Sequence, residues 1–404
     1  MKTRTNPTER DFNFDPIRPY FDNEVEEVLR RLGREEPLMK PIKYFFPHWT
    51  ADVFVEKLRG IHSIAEFQTE VVSCVVRNII EESTDGMTQT GVDHLKKGKP
   101  YLFIANHRDI LLDPSFCNIV LFDHGFETAQ IGIGNNLLSA PWISDFVRLN
   151  KSFVVHRDVS GREMYLVLQR LSFYIRHVIF ELRSSVWIAQ REGRAKDGND
   201  KTHTALLKMI GLSEHDDLIG YLKSLSIVPV ALSYEYDPCD VLKTCELNAR
   251  AVHGTYKKKP DEDLKSMITG ITGYKGRVHL AIGSPLAEEL TTFEGIARRN
   301  DQIQQIAKLI DNQIYGMYKL WPTNYVAYDL LYGTNRYREN YKHDEKQRFS
   351  DYAEKRLEGL PGDPQRIRQI FLSMYANPVK NRESLSNGMR EAIERRQENV
   401  TDDC

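Results

Sequence analysis

Between Pro100 and Pro285 short apolar runs alternate with helical patterns, and no other feature restricts the fold of this chain as much. The runs Tyr101–Ala105, Thr128–Ile133, Ser152–Val155, Ser185–Gln190, Ile227–Tyr234 and Arg277–Ile282 have the length and apolarity of buried strands. Helical patterns fill 111–122, 137–149, 161–183, 201–210 and 240–253. Strand and helix in turn predict an α/β layer: a mixed, largely parallel sheet flanked by helices. Pro229 lies inside the fifth run, where a missing N–H predicts an edge or irregular position. In such sheets ligands gather beyond the carboxyl ends of strands. His107, Arg157, Glu192 and Tyr236 each follow one of these runs.

The flanks read as helical. Asp22–Leu32 opens on capping-type residues and carries Val25, Val28 and Leu29 on one stripe. Ile64–Ile80 places Ile64, Phe67, Val71, Val75 and Ile79 at helical spacing, the pattern of a packing face. Ile303–Tyr318 is amphipathic, Trp321-Pro322 marks a break, and two or three polar helices are expected to Val400. The mixed charges Glu391, Arg395, Arg396 and Glu398 read as a solvated face. The chain therefore divides into an N-terminal helical region (1–95), an α/β domain (96–290) and a C-terminal helical region (291–404).

With 404 residues and 41% apolar content, a sizeable core is available. A net charge of −2 gives no electrostatic reason to expect nucleic acid as a partner. The 5 cysteines (Cys74, Cys117, Cys239, Cys245, Cys404) are odd in number and lack metal spacing, which suggests free thiols in a reducing compartment. Met1-Lys2-Thr3-Arg4-Thr5 is too polar for a signal core. The longest apolar candidate, Met164–Ala189, is interrupted by Arg170, Arg176, His177, Glu181 and Arg183, so no spanning helix is expected. A protein of this kind that acts on lipid would reach the membrane from the water side.

The chemistry concentrates at Asn106-His107-Arg108-Asp109, closed by Asp113-Pro114. A histidine at a strand-to-helix junction becomes a general base when a carboxylate orients it. Either Asp113 or Asp109 fits that role. The tripeptide His-Arg-Asp occurs at His107–Asp109 and again at His156–Asp158, and it also opens the protein-kinase catalytic loop. A kinase needs Asn five residues after the Asp, and Pro114 and Glu163 stand there instead; Asp-Phe-Gly is missing too. Lys196-Asp197-Gly198-Asn199-Asp200 resembles part of a calcium loop without its bidentate Glu, and reads as a surface turn. Lys257-Lys258-Lys259 reads as a solvated loop. No metal-ligand set stands out.

Four blocks in series resemble those of the phospholipid and glycerol acyltransferase family. They are Asn106-His107-Arg108-Asp109 with Asp113-Pro114; Phe153-Val154-Val155-His156-Arg157; Ile188-Ala189-Gln190-Arg191-Glu192-Gly193-Arg194; and Ile227-Val228-Pro229-Val230 running into Ser233-Tyr234-Glu235-Tyr236. Asn135–Leu138 with Pro141 looks like the family's linking segment. The resemblance covers roughly 90–290. Two details depart from the pattern: the Asp of the first block comes one residue late, and Arg194 and Ala195 stand where the third block usually has Thr and Arg.

The resemblance implies acyl transfer from acyl-CoA or acyl-carrier protein to a hydroxyl of glycerol 3-phosphate or 1-acylglycerol 3-phosphate. No further cofactor is implied. His107 would be the base, Arg157, Arg191 and Arg194 would hold phosphate, and Glu192-Gly193 would shape the turn beside them. It also implies a cytoplasmic protein, peripheral on the inner face of the membrane. Transfer to another lipid hydroxyl, such as an aminolipid, and a catalytically silent lipid-binding module are the alternatives. No Gly-x-Ser-x-Gly elbow is present, so direct attack is expected rather than an acyl-enzyme.

Overall fold

The computed structural model describes residues 8–386, apart from 47, 139, 158 and 260. Met1–Thr5, Asp158, Glu391, Arg395, Arg396, Glu398 and Cys404, on which sequence-based expectations were placed, lie outside the described residues. Among the described residues 7 strands make one sheet: β1 (Met87–Thr90), β2 (Leu102–Ala105), β3 (Gln130–Gly134), β4 (Ser152–Val155), β5 (Val186–Ala189), β6 (Ile227–Tyr234) and β7 (Val278–Ile282). Their order is β1-β7-β6-β2-β5-β3-β4. Every pairing is parallel except β6 with β7. The sheet is thus the mixed, largely parallel one expected.

Alternation along the strands splits the core between the two faces. Leu102 and Ile104 of β2 join Phe153, Ile188 and Leu222 under the helices Gly161–Phe180, Leu218–Ser224 and Arg299–Met317. Phe103 and Ala105 point the other way, to Phe116, Val120, Trp187 and Ile79 under the helices Leu112–Asp123 and Ser73–Ser83. Both faces are covered, which is why the central strands read as continuous apolar runs.

Residues 8–95 are mostly helical, as expected, and one short strand, β1, also falls in that range. The sequence of β1, Met-Thr-Gln-Thr, is polar and half-exposed, and it pairs only with β7. One expectation needs correction: Pro229 is not on an edge strand, because β6 lies between β7 and β2. Neighbouring Val230 accepts from Asn106 N on the β2 side, so Pro229 faces the β7 side. There its carbonyl accepts from Gly283 N, one residue past the end of β7. The missing N–H therefore falls where the partner strand has already left the sheet.

The N-terminal helices form their own apolar cluster through Val25, Leu29, Phe54, Phe67 and Val71, which reaches the sheet domain at Leu149. At the other end, the helices Pro322–Tyr332, His343–Leu357 and Pro364–Glu383 pack through Val326, Phe349, Phe371 and Tyr375. Buried Asp240 ties this group to the helix Asp240–His253 by accepting from Tyr352 (2.6 Å), Tyr375 (3.0 Å) and Arg356 (2.9 Å).

Candidate active site

Because β2, β3, β4, β5 and β6 run parallel, the segments after them gather at one edge of the sheet. His107 follows β2, Asn135 follows β3, Arg157 follows β4 and Glu192 follows β5. That placement is a property of strand direction, which sequence does not display.

His107 is oriented by Asp113. The imidazole Nδ1 lies 2.8 Å from Asp113 Oδ2. The same oxygen accepts from the backbone N–H groups of Arg108 (2.5 Å) and Asp109 (2.9 Å). The other oxygen, Oδ1, accepts from the Tyr234 hydroxyl at 2.8 Å. Asp113 is fully buried, and its Oδ2 already accepts from two backbone N–H groups, so it meets Nδ1 as an acceptor. Nδ1 therefore carries the proton and Nε2 is left as the basic nitrogen; among the described residues nothing hydrogen-bonds to it. The ring stands edge-on to Trp187 with centroids 5.8 Å apart and retains 14% side-chain exposure, enough for a substrate to reach it.

Asp109 has a different position. Its Oδ1 accepts from Leu111 N and Leu112 N, both at 2.9 Å, and so holds the turn that leads into the helix Leu112–Asp123. Its Oδ2 is buried without a partner, against Gly270, where a Cβ would come within 2.0 Å. Burial, followed by the neighbouring Asp113 charge, pushes the Asp109 pKa up. Of the two carboxylates the sequence offered, Asp113 touches the histidine and Asp109 builds the turn.

The loop is fixed from behind. Asn106 bridges to β6 by donating to Leu232 O (3.0 Å) and accepting from Leu232 N (2.7 Å). Arg108 is turned inward, 2.6 Å from Asp200. Lys243 Nζ donates to Arg108 O at 2.7 Å and also pairs with Asp237. Tyr318 donates to Asp200 at 2.6 Å. The segment 196–200, expected as a surface turn, is thereby a buried support. Asp200 is 0% exposed, and a Cβ on Gly198 would meet Met374 O at 2.1 Å. Helix Pro364–Glu383 covers it, a contact of long sequence separation that turn-type composition does not reveal. Lys196 is paired with buried Glu246 at 2.6 Å.

The basic residues flank the histidine. Ala195 N donates to His107 O at 2.9 Å, which brings Arg194 alongside the catalytic loop. Arg194 is only 8% exposed, yet its Nη1 has no partner, and neither does Nε of Arg191. Arg157 approaches Glu192 at 3.7 Å and passes over Gly134, where a Cβ would stand 2.8 Å from its Cζ. Gly193 takes φ +69°, the left-handed turn its position predicts. Buried guanidinium donors without acceptors are costly in a finished fold, and they suit an anion supplied from outside. Sequence reasoning quoted Tyr234 and Asn106 without giving them a task, and it missed Asp200 and Lys243; none carries a local signal of its contact.

Residues 86–208 match the acyltransferase family model. No curated protein matches the chain. Among solved structures, the 1-acyl-sn-glycerophosphate acyltransferase of Thermotoga maritima is similar at a TM-score of 0.32 and 12% identity, over 71% of this chain and 95% of that one. The matched segment holds His107, Asp113, Arg157, Glu192 and Arg194, so the site described above lies within the stretch that is similar to that family.

Proposed function

We propose that this protein moves a fatty acyl group from an acyl-CoA or acyl-carrier-protein thioester to a hydroxyl of glycerol 3-phosphate or 1-acylglycerol 3-phosphate. The observation that carries this reading is His107 Nδ1 on buried Asp113, with the unpartnered donors of Arg191 and Arg194 beside the loop. His107 Nε2 takes the hydroxyl proton as the oxygen attacks the thioester carbonyl. The C–O bond forms, the tetrahedral intermediate collapses, the C–S bond breaks, and the imidazolium returns its proton to the leaving thiolate. Arg157, Arg191 and Arg194 would bind the acceptor's phosphate and set its hydroxyl at the histidine. The steps need neither metal nor redox cofactor. Among the described residues no helix is long and apolar enough to cross a membrane. A lipid acceptor would be met at a peripheral contact, in this reading on the cytoplasmic face.

Radiolabelled acyl transfer tests the proposal. Wild type and His107→Ala are compared with glycerol 3-phosphate, its lysolipid and an uncharged lipid alcohol. Product with the phosphate-bearing acceptors in wild type alone is expected. Equal product from His107→Ala overturns the base assignment; turnover with only the uncharged acceptor overturns the phosphate site; ligand binding without turnover on any acceptor favours a silent module.

A further inference from the structure

We propose that Tyr234 is a positioning residue, whose hydroxyl fixes Asp113 and, through it, the imidazole of His107. The inference rests on reading His107 as the base. The two oxygens of Asp113 are unequally served: Oδ2 takes three donors, from His107, Arg108 and Asp109. Oδ1 takes Tyr234 at 2.8 Å. Without that donor, one oxygen of a fully buried carboxylate stands bare, and the carboxylate plane is fixed from one side only. The plane of the carboxylate sets the direction in which Nδ1–H must point, and so where Nε2 faces.

Tyr234 is well placed to hold that plane. It ends β6, and both neighbours are anchored. Ser233 accepts from Lys319 N (3.0 Å) and Trp321 Nε1 (3.3 Å), while Glu235 forks onto Arg277 with two contacts of 2.8 Å. The ring lies 6.2 Å from Phe116, on the helix that carries Asp113. Burial, with the charges of Asp113 and Asp109 close by, holds the phenol far above its ordinary pKa. The hydroxyl therefore stays a donor wherever the carboxylate is charged.

The experiment is a double-mutant cycle: wild type, Tyr234→Phe, Asp113→Asn and both changes together, assayed for kcat and for KM of each substrate. Y234F is expected to lower kcat about tenfold, in the range of one lost hydrogen bond to a charged group, with both KM values unchanged. On the D113N background, where the charge that Tyr234 orients is gone, it is expected to cost less than on wild type. The downfield proton resonance of His107 Nδ1–H, assigned by its loss in His107→Ala, should shift in Y234F, a readout independent of turnover. A wild-type kcat in Y234F, an unshifted resonance, or an equal loss on the D113N background overturns the proposal. Activity surviving in H107A removes the base reading and this inference together; an inactive H107A beside a wild-type-like Y234F removes this inference alone.

Discussion

Changing Asp113 to Asn keeps the shape of the site and removes one charge. The amide oxygen can still accept from Arg108 N and Asp109 N, and the NH₂ can meet Tyr234, whose hydroxyl turns to accept. What disappears is the attraction between the carboxylate and the imidazolium that forms when His107 takes the substrate proton. With Nδ1 and Oδ2 at 2.8 Å, the charge centres stand about 4 Å apart, worth about 4 kcal/mol at an effective dielectric constant of about 20. That corresponds to a fall in kcat of roughly a thousandfold. Asp109→Asn is the control, since Asn keeps the acceptor for Leu111 N and Leu112 N. It also removes a carboxylate whose pKa is raised by burial. A raised carboxylate contributes stability at acid pH that is lost as pH climbs through the folded value, so D109N should be at least as stable as wild type at pH 7. Initial rates of radiolabelled acyl transfer and urea melts on both variants measure these effects. A D113N loss below about tenfold, which is about 1.4 kcal/mol, refutes the argument, as does an equal loss at Asp109.

Three further outcomes follow from the supporting structure. Asp200→Asn leaves the inward-turned Arg108 without its counter-charge and should cost about 3–5 kcal/mol in a denaturant titration; a loss under about 1 kcal/mol would mean the pair is solvated. Gly270→Ala drives a Cβ to within 2.0 Å of Asp109 Oδ2 and should lower the melting temperature, with D109N failing to restore it fully because the clash is steric. His279 is bridged by Thr88 (2.8 Å) and Thr90 (3.2 Å), and burial, aided by Lys319, pushes its pKa down to about 4. The unfolded chain gains the proton first as pH falls, so this histidine drains stability between about pH 6.5 and 4, amounting to about 2 kcal/mol from pH 7 to 5. His279→Gln should flatten the pH dependence of unfolding over that interval by this amount; an unchanged slope would remove the assignment.

The parts of the fold that were legible in the sequence are those fixed by local pattern. Ser152–Val155 and Ile227–Tyr234 end where their apolar runs end, and Asp22–Leu32 begins at its acidic cap. β1 escaped because Met87–Thr90 has no apolar signal; only its pairing with β7 makes it a strand. At the site, residue types and order singled out His107, the arginines and Gly193, and Gly193 takes the left-handed turn expected of it. Spacing alone did not decide between Asp113 and Asp109, because the turn after β2 sets which carboxylate swings back to the ring. Lys196–Asp200 has the composition of an exposed turn and is buried only because Met374 and Tyr318 reach it from far along the chain.

That last contact has a consequence for the order in which the molecule is made. Arg108 waits for a counter-ion 92 residues downstream, and Asp200 for a hydroxyl 118 residues beyond that. Met374, which closes over Gly198, is translated later still. On a ribosome the loop after β2 would gain its ties to Asp200, Leu232, Tyr234 and Lys243 first, and the cover over Gly198 only when the final helices arrive. A fragment ending near residue 208, where the family match ends, would contain every residue of the proposed chemistry without the clamp that holds them in register.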